Sequence, residues 1–168
     1  MKYFFLAGAF LSACSISFGL PTQQFPSPSE ISDAAKLWAQ DTAKVSQFLD
    51  TAATLSGAEF LSAASSALSA EKDELIHKQV LDTALGQASI IQNANKTLVL
   101  EGTFQMVVDL LQDMASNGVS RIANVDKINN VRCPRVLPAI DAYFAAAARQ
   151  VKKGPQVLAT FPKVCRKG

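Results

Sequence analysis

The sequence predicts an all-α fold: a compact bundle of five or six helices with a C-terminal tail pinned by one disulfide. Three observations carry this. No window sustains the alternation of apolar and polar residues that a half-buried strand requires. Apolar residues recur instead at helical spacing over long stretches, and 23 alanines beyond residue 19 let helices approach closely. The chain has 168 residues, 49% of them hydrophobic and 18% charged, which suits one domain and is too apolar for a disordered chain.

Residues 1–19 read as a secretory signal peptide. Lys2 precedes the apolar run Tyr3 to Phe18, and Ser17 and Gly19 take the −3 and −1 positions of a cut before Leu20. The run is shorter than the ~20 residues of a membrane span, and no second one follows, so no transmembrane segment is expected. Leu11-Ser12-Ala13-Cys14 offers an alternative, the lipobox of a bacterial lipoprotein anchored at Cys14.

Residues 20–27 hold two prolines and two glutamines and form an extended lead-in to a helical domain over 28–154. Ser27-Pro28-Ser29-Glu30 is a helix start: Ser27 caps, Pro28 takes the first turn and Glu30 closes a capping box. Ile31, Trp38, Val45 and Ala52, interleaved with Ala35, Thr42 and Leu49, give one apolar stripe ending near Leu55. Ser56-Gly57-Ala58-Glu59 repeats the capping-box pattern, and Phe60, Leu61, Ala64, Ala67 and Leu68 form the inward face of a second helix. Glu71, Asp73 and Glu74 suit the N-terminus of a third helix, or a kinked continuation, from about Ala70 to Asn93. Its helical spacing is carried by Leu75, Ile76, Val80, Ala84 and Ile91.

Thr97 to Ser116 is a more hydrophobic helix. Leu98 to Leu100 also fit an extended segment with Thr103 as the cap, and Asn117-Gly118 marks the stop. Val119, Ile122, Val125 and Ile128 share one face of a shorter helix. Pro134 and Pro138 bracket a turn or helix entry, and Gly154-Pro155 ends the last helix. Residues 155–168 are the tail. After signal cleavage only Cys133 and Cys165 remain, which pair most simply as one disulfide in an oxidising compartment, contributing roughly 3–4 kcal/mol by loop closure. Asn95-Lys96-Thr97 is an N-glycosylation acceptor.

The chemistry is sparse. His77 is the only histidine, so it is the only base a serine nucleophile could use, and no Gly-x-Ser-x-Gly elbow is present. Glu74 and His77 form one Glu-x-x-His pair where a di-iron bundle needs two, so His77 is expected to face solvent. Asp33, Asp41, Asp50, Asp109 and Asp113 fall on polar helix faces. No phosphate loop or dinucleotide fingerprint occurs. The expectation is a protein that is not an enzyme and carries no metal and no cofactor.

Charge divides along the chain. Residues 20–126 hold thirteen acidic and six basic side chains; residues 127–168 hold one acidic and nine basic, Arg132, Arg135, Arg149, Lys152, Lys153, Lys163, Arg166 and Lys167 among them. This segment is either a solvated face complementing its acidic neighbour or a contact for an anionic surface. No nucleic-acid motif accompanies it. An apolar small molecule or lipid would bind between the first and the hydrophobic fourth helix, near Trp38, Val45, Phe104, Val108 and Leu111. Those helices have the strongest apolar faces, although a pocket lining and a filled core share this composition.

The signal peptide, the Ala/Ser-rich helix AEFLSAASSALSAEKDE and the stretch NNVRCPRVLPAIDAYFAAAA resemble small secreted helical proteins of filamentous fungi, of the hydrophobic-surface-binding and cell-wall galactomannoprotein type. The Cys133 and Cys165 pair departs from that group. The resemblance implies an extracellular or cell-wall protein that binds lipids or hydrophobic surfaces without catalysis. The competing reading is a secreted effector-like protein acting on a partner protein.

Overall fold

The computed structural model describes residues 25–152 and 157–166. The expected signal peptide, the alternative anchor at Cys14, most of the expected lead-in and the Gly154-Pro155 stop lie outside the described residues. Among these the chain is all-helical, with no strand.

Four long helices build the bundle, fewer than the five or six expected. They are α1 (Pro28–Thr51), α2 (Gly57–Leu85), α4 (Thr103–Asn117) and α6 (Leu137–Val151). The short α3 (Ser89–Asn95) and α5 (Asn124–Val131) each run into a π turn, Lys96–Leu100 and Arg132–Val136. Through its π turn α5 continues directly into α6, with Pro134 in the turn and Pro138 in the first turn of α6.

The caps follow local chemistry. The Ser27 capping box forms: the Glu30 N–H donates to Ser27 Oγ at 3.3 Å and the Ser27 N–H donates to Glu30 Oε2 at 2.7 Å. The second expected box does not; α2 starts at Gly57 as read, but the Ser56 side chain makes no cap bond. Residues expected to start a third helix lie inside α2, which runs unbroken for 29 residues. It stops at Gly86, where a Cβ would sit 2.5 Å from the Asp82 carbonyl oxygen. Leu98 to Leu100 are in the π turn and not extended, so α4 begins at Thr103. Gly118 ends α4 at φ 68°, ψ −153°, a conformation that favours glycine, as Asn117-Gly118 led us to expect.

α1 and α2 form a hairpin that is the spine of the molecule. The buried stripe of α1 is Ile31, Ala35, Trp38, Thr42, Val45, Leu49 and Ala52, as its spacing predicted. α6 packs against α1 and α3, while α4 packs on α2 and α5. Trp38 sits at the centre, fully buried, with the rings of Tyr143 and Phe144 at 5.2 and 5.6 Å between centroids. The tail returns over α1 and α6 and is closed by the Cys133–Cys165 disulfide.

Candidate functional site

The molecule's least ordinary feature is a charged cluster in its core. Glu71, Glu74 and Arg132 are completely buried. Arg132 Nη1 donates to Glu71 Oε2 at 2.6 Å and Nη2 to Glu74 Oε1 at 3.3 Å. Trp38 Nε1 donates to Glu74 Oε2 at 2.7 Å. Glu71 Oε1, Arg132 Nε and Asn129 Oδ1 are buried without a hydrogen-bond partner among the described residues.

The sequence reading missed this cluster. Leu61, expected on the inward face of the second helix, is 38% exposed, and Leu75 and Ile76, which carry the helical spacing after it, are 44% and 60% exposed. That reading placed Glu71 and Glu74 at a helix start and Arg132 among the surface cations. The inward positions of α2 are Phe60, Ala64, Ala67, Glu71, Glu74, Lys78, Leu81 and Leu85, and all are buried. Arg132 opens the π turn before α6, and it lies against α2 as the counter-ion to both glutamates.

Two carboxyls facing one guanidinium leave one excess negative charge. Burial pushes both glutamates above their ordinary range. The charge of Glu71 adds to that push at Glu74, while Arg132 opposes it at both and Trp38 opposes it at Glu74. The folded chain therefore binds more protons than the unfolded chain above the ordinary glutamate value of 4.5. By linkage, the stability this pair confers is complete below that value and is lost as pH rises through the native titration. Urea denaturation from pH 5 to 8 should show the unfolding free energy falling as pH rises, by at most about 1.4 kcal/mol per unit for one proton. Glu71→Gln should flatten that slope, since Arg132 then faces a single carboxylate. An unchanged slope in the variant would remove the pair as its source.

The network continues along α2. Lys78 Nζ donates to Asp82 Oδ2 and Asn95 Oδ1, each at 2.6 Å, and lies 5.5 Å from the Tyr143 ring centroid. The Tyr143 hydroxyl donates to Asp82 Oδ1 at 2.6 Å; burial, then Asp82, raises its pKa well above the ordinary phenol range. Asn95, the expected glycosylation acceptor, is half-buried at the end of α3, with its side-chain oxygen held by Lys78.

His77 does not face solvent as expected. Its side chain is 18% exposed, and Nε2 lies 3.2 Å from Oδ2 of Asp41, itself buried rather than on a polar face. Asp41 also takes Lys44 Nζ at 2.8 Å. Among the described residues no group of three potential metal ligands comes together.

The five expected ligand residues are all in the core: Trp38, Val45 and Leu111 at 0% exposure, Phe104 at 4% and Val108 at 9%. α1 and α4 have no extensive contact with each other. Each lays its strong apolar face on α2, the longest helix, which has two sides to offer. None of the five lines any of three surface hollows. The largest, about 560 Å³, lies between α1 and α2 over Phe48, Leu55, Ala67 and Ala70. A second, about 470 Å³, is walled by Phe25, Pro26, Ala34, Leu37, His77 and Val80, with Glu30 and Asp33 at its polar edge. A third, about 380 Å³, lies between α3 and α6 beside Arg135.

The basic segment is partly consumed internally. Arg132 is buried and Arg135 pairs with Glu101, while Arg149, Lys152 and Lys163 are exposed. No helix is long and apolar enough to cross a membrane among the described residues. No family model, curated protein or solved structure matches the chain.

Proposed function

We propose that the chain is a secreted, non-enzymatic binding protein that takes apolar molecules or hydrophobic surfaces on the outside of the α1–α2 hairpin. The observation that carries this is the second hollow. Phe25 and Leu37 on its wall are 71% and 45% exposed, and Pro26, Ala34 and Val80 extend the apolar surface. Large apolar side chains left in water beside a concave surface favour an apolar occupant, because covering them gains about 25 cal/mol per Å² buried. The interior does not compete for this role, since the side chains around Trp38 pack against one another. The resemblance to surface-binding secreted proteins points the same way.

The test is uptake of palmitate by native mass spectrometry together with adsorption to octyl-coated beads. The unaltered chain should do at least one. The double change Phe25→Ser with Leu37→Gln should weaken it tenfold or more while leaving helical content unchanged, because both side chains are exposed. Uptake unaffected by the double change would move the site elsewhere. No uptake by the unaltered chain would favour the effector-like reading, in which the ligand is a partner protein.

A further inference from the structure

The tail is held in an unusual way. Residues 157–163 cross the seam between α1 and α6, and the polar contacts described there go to their main chain. The Ala159 N–H donates to Asp141 Oδ1 of α6 at 2.7 Å. The Thr160 N–H donates to Thr42 Oγ1 of α1 at 3.2 Å, and Ser46 Oγ of α1 donates to the Thr160 carbonyl. The Lys163 N–H donates to Asp50 Oδ1 of α1 at 2.7 Å. Thr42, Ser46 and Asp50 are spaced by four residues, so they form a ladder along one edge of α1. Thr160 is bonded by both Thr42 and Ser46, and from midway between them to Asp50 is about 9 Å of helix axis; the three residue steps from Thr160 to Lys163 span at most about 10–11 Å, so this stretch is nearly extended. The tail therefore runs parallel to α1 as an extended strap.

This groove reads backbone more than side chain. Of the strap's side chains Ala159 and Pro162 are buried, Val157 and Phe161 are half-buried against the core, and Leu158 is 60% exposed. Beneath the strap Thr42 and Ser46 are 0% and 1% exposed and Asp141 is partly buried, so the strap's main chain supplies partners that water would have to supply in an empty groove. Such a groove calls for an extended peptide. Besides these bonds this chain's own segment is held there by a covalent link: Cys165, just past the strap, is bonded to Cys133 in the π turn before α6.

We infer that the α1–α6 groove is a binding site for an extended peptide, occupied in cis by residues 157–163 while Cys133–Cys165 is closed and opened to a segment of another protein when that disulfide is reduced. The chemistry needed is thiol–disulfide exchange with a dithiol. The reductant gives two electrons and two protons, leaves as its own disulfide, and returns Cys133 and Cys165 to thiols. The incoming segment needs consecutive free N–H groups, a carbonyl for Ser46, and a small residue where Ala159 sits. This site is on a different face from the hollow at Phe25 and Leu37 and does not depend on what binds there.

The test uses the full chain, oxidised, and reduced with dithiothreitol then capped with iodoacetamide. The probe is a fluorescein-labelled peptide with the sequence of residues 157–163. The reduced, capped chain should keep its helical signal, show faster amide exchange at Ala159, Thr160 and Lys163, and bind the peptide at least tenfold more tightly than the oxidised chain. N-methylation of the peptide at the residue matching Thr160, or Thr42→Val in the protein, should each weaken that binding tenfold. Ala159→Asp gives an independent opening: with the disulfide intact, a carboxylate forced against Asp141 should expel the strap and admit the probe.

Equal binding by oxidised and reduced chains would overturn the inference, as would no binding by a reduced chain that remains helical. Loss of the helices on reduction would make the segment an inseparable part of the core and overturn it too. A reduced chain that exchanges tails with a second copy, seen as a dimer by size exclusion, would replace the partner peptide with self-association.

Discussion

Arg132→Met should lower the unfolding free energy by about 3–5 kcal/mol, measured by urea denaturation at pH 7. The side chain is fully buried and is the only cation within bonding distance of Glu71 and Glu74 among the described residues. Methionine fills most of the volume but leaves two buried carboxyls with no opposing charge. They can avoid ionising only by taking up protons, which costs more as the pH rises. The loss should therefore be larger at pH 8 than at pH 5. Adding Glu71→Gln to Arg132→Met should recover part of it, since one buried charge is then gone. A coupling of about 0.5–3 kcal/mol between the two changes is the expected sign of direct interaction. A loss under about 1 kcal/mol, or strict additivity, would mean that the cluster is not held by charge.

Much of this arrangement was legible. The seven expected positions of the α1 stripe are all buried, and they were legible because they are apolar or, at Thr42, small enough to pass in an apolar pattern; the buried Asp41 and Ser46 beside them were not. α2 repeats the same alternation of three and four residues without a break, from Phe60 through Ala64 and Ala67 to Leu81 and Leu85. Carrying that phase forward places Glu71, Glu74 and Lys78 in the core. Following hydrophobicity instead puts the stripe on Leu75, Ile76, Val80 and Ala84, one or two residues from the buried positions, and suggests a helix start or a kink inside a continuous helix. A heptad with charges at three consecutive core positions signals a buried ionic layer only if the period is trusted over the residue type.

Arg132 had no such signal. It stands among nine cations, and the π turn that opens at Arg132 interrupts the α-helical phase from which its direction could have been read. The strap was half legible. Two cysteines fixed its end, and the spacing of Thr42, Ser46 and Asp50 is visible in the sequence, but nothing local says that those side chains will meet a main chain over a hundred residues away. The two surface hollows on the α1–α2 hairpin were not legible, since they arise where small residues such as Ala34, Ala67 and Ala70 leave space between helices.

Trp38→Ala should cost a further large amount, about 3–5 kcal/mol, read by circular dichroism because the change removes the only tryptophan. Three helices meet on this side chain. Its ring lies against Tyr143 and Phe144 of α6, and its N–H bonds Glu74 of α2, from a position midway along α1. Removing it opens a cavity and also takes a donor from a buried carboxyl whose ionisation burial and the Glu71 charge already oppose. Trp38→Phe separates the two effects. It keeps most of the ring contact but leaves Glu74 Oε2 without its donor, and should cost about 1–3 kcal/mol. That cost should shrink toward pH 5, where a protonated Glu74 has less need of a donor, whereas a pure cavity cost would not vary with pH. Because Trp38 is fully buried, its emission in the unaltered protein should be blue-shifted and resistant to iodide. Palmitate bound at the Phe25 and Leu37 hollow should leave that emission unchanged, and quenching by added lipid would return the ligand site to the interior seam between the helices.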